Sequence, residues 1–133
     1  MLFRSIRLVV KEFPILTKES VTASRAALAS VKQGKYMAFH QAMMGHKGQI
    51  TVDNVFEYAT KVGLNVDQLK KDMNDPAIGD TIIENLKLAR AMKISVVPGF
   101  VVDTEVLSGV SNKTSTAAID FKKEIAEARA AKK

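Results

Sequence analysis

Cysteine is absent from all 133 residues of this chain. Its absence excludes disulfides, thiolate metal sites and cysteine nucleophiles. Aromatic residues make up only 6%, too few for the stacking platforms of a single-strand nucleic-acid binder. No run of about 18 apolar residues occurs, so no membrane span is expected. The stretch Met1–Val10 is too short for a signal peptide and leads straight into charged residues, so no leader is expected within this chain. The only histidines, His40 and His46, lie six residues apart across Gly45. They lack the i, i+4 spacing of a helical zinc pair and have no acid close by in sequence, so no metal is expected.

What is present suits one compact domain. Hydrophobic residues are 47% and charged residues 26%, which argues against disorder. The formal net charge of +6 raises the question of nucleic acid. The basic residues are spread along helical stretches and gather only at Lys132-Lys133, the pattern of a solvated basic surface. No nucleic-acid partner is expected.

Ile6–Phe13 reads as a strand, with Ile6, Leu8 and Val10 alternating against Arg7 and Lys11, and Pro14 ends it. That alternation and the neighbouring Lys11 predict a solvent-facing Glu12. Thr17 caps an alanine-rich helix over 19–33, stopped by Gly34. A second helix is expected over 35–44. Thr51 caps a third, with Val52, Val55, Phe56, Ala59 and Val62 on one face and Gly63 as its stop. Asn65 and Gln68 resemble a capping box for a short fourth helix. Asp75-Pro76 opens a long fifth, with Ile78, Ile82, Leu86, Ala89 and Met92 at helical spacing. Asp53, Asp67 and Asp75 thus read as helix-start residues, not as paired catalytic carboxylates. The methionines at 37, 43, 44, 73 and 92 read as core filling.

The period then changes. Phe100–Val102 is apolar and β-branched, Asp103-Thr104 turns, and 105–110 can return as a second strand. Thr114, Ser115 or Thr116 caps a last helix, with Ala118, Phe121, Ile125 and Ala128 inward. The order is strand, five helices, hairpin, helix. No linker divides the chain.

The stretch Val96-Val97-Pro98-Gly99-Phe100 places a proline at the mouth of a strand, where it removes a ladder donor. Alone, it is read more simply as punctuation between helix and strand than as a binding edge.

Seven stretches stand out in order: 7–16 (RLVVKEFPIL), Ser24-Arg25-Ala26-Ala27-Leu28-Ala29, Gln33-Gly34-Lys35-Tyr36, Phe39-His40, Asp75-Pro76, 85–91 (NLKLARA) and Val97-Pro98-Gly99-Phe100-Val101-Val102. In this order they resemble the DsbA-like branch of the thioredoxin superfamily. The resemblance implies an α/β, thioredoxin-like fold with an inserted helical subdomain. It implies a single partial domain over 1–133: a core strand and turn over 6–16, a helical insertion with its closing helix over 17–92, and a cis-proline hairpin with a C-terminal helix over 96–133. Nothing before Ile6 can supply the family's first strand or its Cys-x-x-Cys helix, so truncation of a longer gene is expected. Val96 and Gly99 depart from the family's usual Gly-Thr-Pro-Ala-Phe wording.

The family's activity is thiol–disulfide exchange with protein substrates through a thiolate at a helix N-terminus. By resemblance, Val97 and Pro98 are the substrate-binding residues: Val97 offers its main chain to an extended polypeptide, and Pro98 holds that main chain in place. The resemblance also offers Glu12 an alternative, as a buried acid near the reactive centre. With no thiol, the chain itself is expected to be inactive, with no catalytic residue and no cofactor. The full-length parent is expected to be periplasmic or exported. Self-association through the incomplete sheet is a further expectation. Two alternatives stay open: a glutathione-using transferase or isomerase relative, and a non-catalytic peptide-binding or chaperone-like module.

Overall fold

The computed structural model of the protein describes residues 6–108 and 119–131. The chain divides into two compact units, residues 1–85 and 86–133, with the boundary inside one long helix.

The first unit is helical. Helix α1, Lys18–Ala29, runs into a 3₁₀ turn, Ser30–Gln33. Thr17 caps α1, its hydroxyl accepting the Ser20 N–H at 3.2 Å. Gly34 ends the turn in the left-handed region, at φ 70°, where glycine carries no Cβ penalty. Helices α2 (Tyr36–Met44), α3 (Val52–Lys61) and α4 (Val66–Asp72) follow, and α5 spans Pro76–Ala91. Thr51 and Asn54 form a reciprocal capping box on α3. At α4 the box is completed from elsewhere. The Asn65 side chain accepts the Gln68 N–H, but the Asn65 N–H goes to Gln33 Oε1 at 2.8 Å, while the Gln68 amide turns to Asp72. Two chain segments 32 residues apart are thereby joined at one helix start.

The alanines predicted to fill α1 let its neighbours approach closely. Ala26, Ala27 and Ala29 are buried, and α1 packs against α2, α3 and α4. Phe39, Val55 and Leu69 are fully buried, with Met43, Ala59, Leu64, Ile78 and Ile82 around them. Removing such a side chain from water contributes about 1.5–3 kcal/mol. Arg25 closes the far side: its Nε and Nη2 both donate to the Met73 carbonyl, at 3.1 and 2.6 Å, covering the C-terminus of α4.

Several expectations are corrected here. Ile6–Phe13 is not a strand, and residues 6–11 make no main-chain hydrogen bond among the described residues. Strand propensity alone does not form a strand, because a ladder needs a neighbour. Val52 is exposed, so the buried stripe of α3 begins at Val55. Met37 and Met44 are exposed and fill no core; of the α2 methionines only Met43 is buried.

The second unit holds the end of α5, a hairpin and the last helix. Helix α5 closes with Lys93 in the left-handed region, at φ 58°, and the Ile94 N–H returns to the Ala89 carbonyl at 2.8 Å. Strands β1 (Gly99–Val102) and β2 (Glu105–Ser108) pair antiparallel, with Phe100 opposite Leu107 and Val101 opposite Val106. The expected strand residues Gly109 and Val110 lie outside the described residues, as do Thr114, Ser115, Thr116 and Ala118. Helix α6 spans Phe121–Ala131, and its Lys123 N–H is taken by the Asp120 carboxylate at 3.1 Å. Phe121 meets Phe100 edge to face at 4.9 Å between ring centres, fastening α6 to one face of the hairpin. No described helix is long and apolar enough to cross a membrane.

Candidate functional site

In the second unit, Val97 and Pro98 lie in a bend between the end of α5 and β1. The Val97–Pro98 peptide bond is cis. Val97 is 39% exposed and Pro98 is exposed. Among the described residues, neither the N–H nor the carbonyl of Val97 has a hydrogen-bond partner. Strand β1 pairs with β2 on one side and, among the described residues, with no strand on the other. The face of the hairpin carrying Val101 and Val106, a directly opposed pair, is exposed, while Phe100 turns to Phe121. The bend thus joins a main chain without a partner among the described residues to a small apolar surface.

Gly99 has a local reason. A Cβ there would stand 2.9 Å from Ile94 Cγ2, so the first residue of β1 is glycine because the Ile94 side chain occupies that space. Beneath the bend is a cleft of only about 40 Å³, lined by Ile94, Val96, Gly99 and Leu107 among others. That is room for a water molecule and too little for a small-molecule substrate.

In the first unit a polar cluster forms around Glu12. The prediction that Glu12 faces solvent is overturned: its side chain is 13% exposed. Ser24 Oγ donates to Oε1 at 2.9 Å, and the Tyr36 hydroxyl donates to Oε2. His40 Nδ1 stands 4.0 Å from the same oxygen, its ring stacked on that of Tyr36. Asn85 Nδ2 donates to the Glu12 main-chain carbonyl at 2.9 Å. Burial, the hydrogen bond to Glu12 and its negative charge push the Tyr36 phenol well above its ordinary value. The carboxylate is turned inward because three elements supply polar partners to the segment that carries it. Pattern reasoning within 6–13 could not see this, since the partners lie 12, 24 and 73 residues away. All four partner residues nevertheless stand in the stretches quoted above.

His46 lies apart from that cluster. Its Nδ1 is 2.8 Å from the Tyr58 hydroxyl and its Nε2 3.3 Å from the Gln49 carbonyl, so it fastens the turn between α2 and α3. No group of three His, Asp or Glu among the described residues could hold a metal ion.

A helical insertion followed by a proline-led hairpin and a closing helix defines a thioredoxin-like fold of α/β class. Residues 4–118 match the profile of the DSBA-like thioredoxin domain, and the chain belongs to that family. A thioredoxin-like oxidoreductase from Silicibacter pomeroyi DSS-3 has a similar structure, with a TM-score of 0.81 and 36% identity over 90% of this chain and 66% of that one. A periplasmic thioredoxin-like protein from Salmonella enterica serovar Typhimurium gives 0.73 and 25% over 90% of this chain and 64% of that one. The thiol-disulfide exchange protein alpha-DsbA2 of Wolbachia pipientis shares the fold, with a TM-score of 0.70 at 24% identity over 77% of this chain and 57% of its own. Among curated proteins, the chain is 25% identical over 103 residues to the Na(+)/H(+) antiporter NhaA 1 of Salinispora arenicola (strain CNS-205). It spans 16% of that antiporter, and about two thirds or less of the solved relatives' lengths.

Proposed function

We propose that Val97 and Pro98 are the substrate-binding edge of a DsbA-like protein whose full-length form exchanges disulfides with polypeptides in an exported compartment. The chain as given binds such polypeptides and does not turn them over, because it has no thiol to attack a disulfide. One observation carries the reading. Among the described residues the N–H and carbonyl of Val97, a residue 39% exposed, have no hydrogen-bond partner, and the strand beside them meets no other strand on its outer edge. An extended polypeptide satisfies those groups by strand addition. Pro98 has no N–H of its own, so the donor next to the strand belongs to Val97. The exported location draws on the Salmonella relative, which is a periplasmic protein.

The test is an NMR titration of the chain with an unfolded, carboxymethylated polypeptide. Saturable shifts at Val97 and along Gly99–Val102 are expected. Val97→Pro, which deletes the donor, should weaken binding at least tenfold with an unchanged circular dichroism spectrum. Binding that leaves these amides unmoved, or that is equal in Val97→Pro, overturns the assignment.

A further inference from the structure

Lys93 is an unexpected side chain for its place beside the Val97–Pro98 bend. It holds the left-handed position that closes α5, at φ 58°, where glycine carries no Cβ penalty. Asp103 is the other described residue besides glycine with a positive φ, and aspartate is tolerated there because its short polar side chain bonds locally. Lysine has no such recourse. Among the described residues the Lys93 side chain makes no hydrogen bond and no ion pair. The helix dipole does not require it, since Arg90 already sets a cation in the last turn of α5. Nor is the lysine left bare by an unfinished sheet. Its turn is closed by main chain alone, the Lys93 N–H donating to the Arg90 carbonyl at 3.1 Å and the Ile94 N–H to the Ala89 carbonyl at 2.8 Å.

The neighbours of this cation are hydrogen-bond donors. Lys93 lines the small cleft beneath the bend together with Ser95 and Val96. Ser95 is exposed, and its hydroxyl has no partner among the described residues. The Val97 N–H follows two residues later, also without one. No acid neutralises the stretch. From Lys93 to Val102 the only charged residue is Lys93 itself, and the acids of the hairpin, Asp103 and Glu105, stand at its turn, the end of β1 away from the bend. An ammonium, a hydroxyl and a main-chain N–H thus share five residues of chain with no carboxylate among them.

We propose, on the footing that Val97 and Pro98 form the polypeptide-binding edge, that Lys93 and Ser95 select bound polypeptides with acidic side chains flanking the residue that pairs with Val97. Strand addition through the main chain is indifferent to sequence, so the preference comes from side chains beside the edge. A flanking carboxylate accepts a charge-assisted bond from the Lys93 ammonium and a second bond from the Ser95 hydroxyl. The cleft, at about 40 Å³, holds a water and not a side chain, so the carboxylate lies across its mouth. Basic flanking residues are repelled.

The test is a fluorescence titration of the full chain with end-capped nonapeptides carrying a terminal tryptophan, a residue the chain itself lacks. Each peptide has a central valine in a serine–threonine background, flanked on both sides by glutamate, glutamine or lysine. The glutamate peptide should bind about fivefold more tightly than the glutamine peptide at low salt, as for an exposed ion pair, with the difference closing at high salt. The lysine peptide should bind more weakly than either. Lys93→Gly, which relieves the turn and so does not endanger the fold, should bind the glutamate and glutamine peptides equally. Lys93→Glu should invert the order and favour lysine, and Ser95→Ala should narrow the preference. A preference unchanged in Lys93→Gly or in Ser95→Ala overturns the inference. So does equal binding of all three peptides by the wild type when Val97→Pro still weakens them, an outcome that leaves the edge standing. Failure of every peptide to bind, or binding untouched by Val97→Pro, overturns the edge and this selectivity with it.

Discussion

The hydroxyl of Tyr36 donates to the carboxylate of Glu12, across 24 residues of sequence. This contact joins the segment before α1 to the first turn of α2. Removing it leaves a carboxylate oxygen, mostly shielded from water, without its donor. Tyr36→Phe is expected to cost about 1–3 kcal/mol, the range for an unsatisfied buried polar group. Urea unfolding of the two proteins measures it.

The same pair makes a prediction about alkali. The native phenol is held above its ordinary value of 10.0, first by burial and then by Glu12. A raised native value means the protonated phenol is favoured in the folded chain. The contribution is complete below pH 10 and is lost as pH rises beyond it. Wild-type stability should therefore fall above pH 10 more steeply than that of Tyr36→Phe. In a titration followed by tyrosinate absorbance, one of the two tyrosines should ionise only as the protein unfolds.

Lys93 occupies the left-handed position that closes α5, at φ 58°. A side chain there costs roughly 1–2 kcal/mol against glycine, part of it returned through the greater freedom of unfolded glycine. Lys93→Gly should stabilise the chain by about 0.5–1 kcal/mol, seen as a higher denaturation midpoint with an unchanged slope. A lower midpoint would show that the lysine side chain itself holds the turn.

Phe39 is fully buried in the first unit. Phe39→Ala should destabilise by about 3–5 kcal/mol, the transfer loss plus the cavity left behind. Chemical denaturation checks this, and a loss under 1 kcal/mol would mean that the site collapses around the alanine.

The absence of thiols gives the plainest expectation for chemistry. In an insulin-reduction assay with dithiothreitol, the chain should not accelerate turbidity beyond the buffer rate. Acceleration by protein free of contaminating oxidoreductase would contradict it.

Local signals along the chain were sufficient for the helices. Thr17, Thr51, Asn65 and Asp75 cap where short polar side chains can reach the next free N–H, and Gly34 and Gly63 stop helices through positive φ. Each of these decisions involves residues within one or two turns, so the order of residues alone determines it. The hairpin and its proline are legible for the same reason. Glu12 and the segment around it are not. Alternation made Ile6–Phe13 a strand with an outward acid, but a strand exists only where a second one completes its hydrogen bonds. The acid turned inward because Ser24, Tyr36 and Asn85, distant in sequence, arrive beside it once the helices pack. The cysteine count determined at once which chemistry this chain cannot perform. Which main-chain groups lack a hydrogen-bond partner among the described residues, at Val97 and over 6–11, was decided only by the tertiary structure, because hydrogen-bond satisfaction depends on every neighbour the fold supplies.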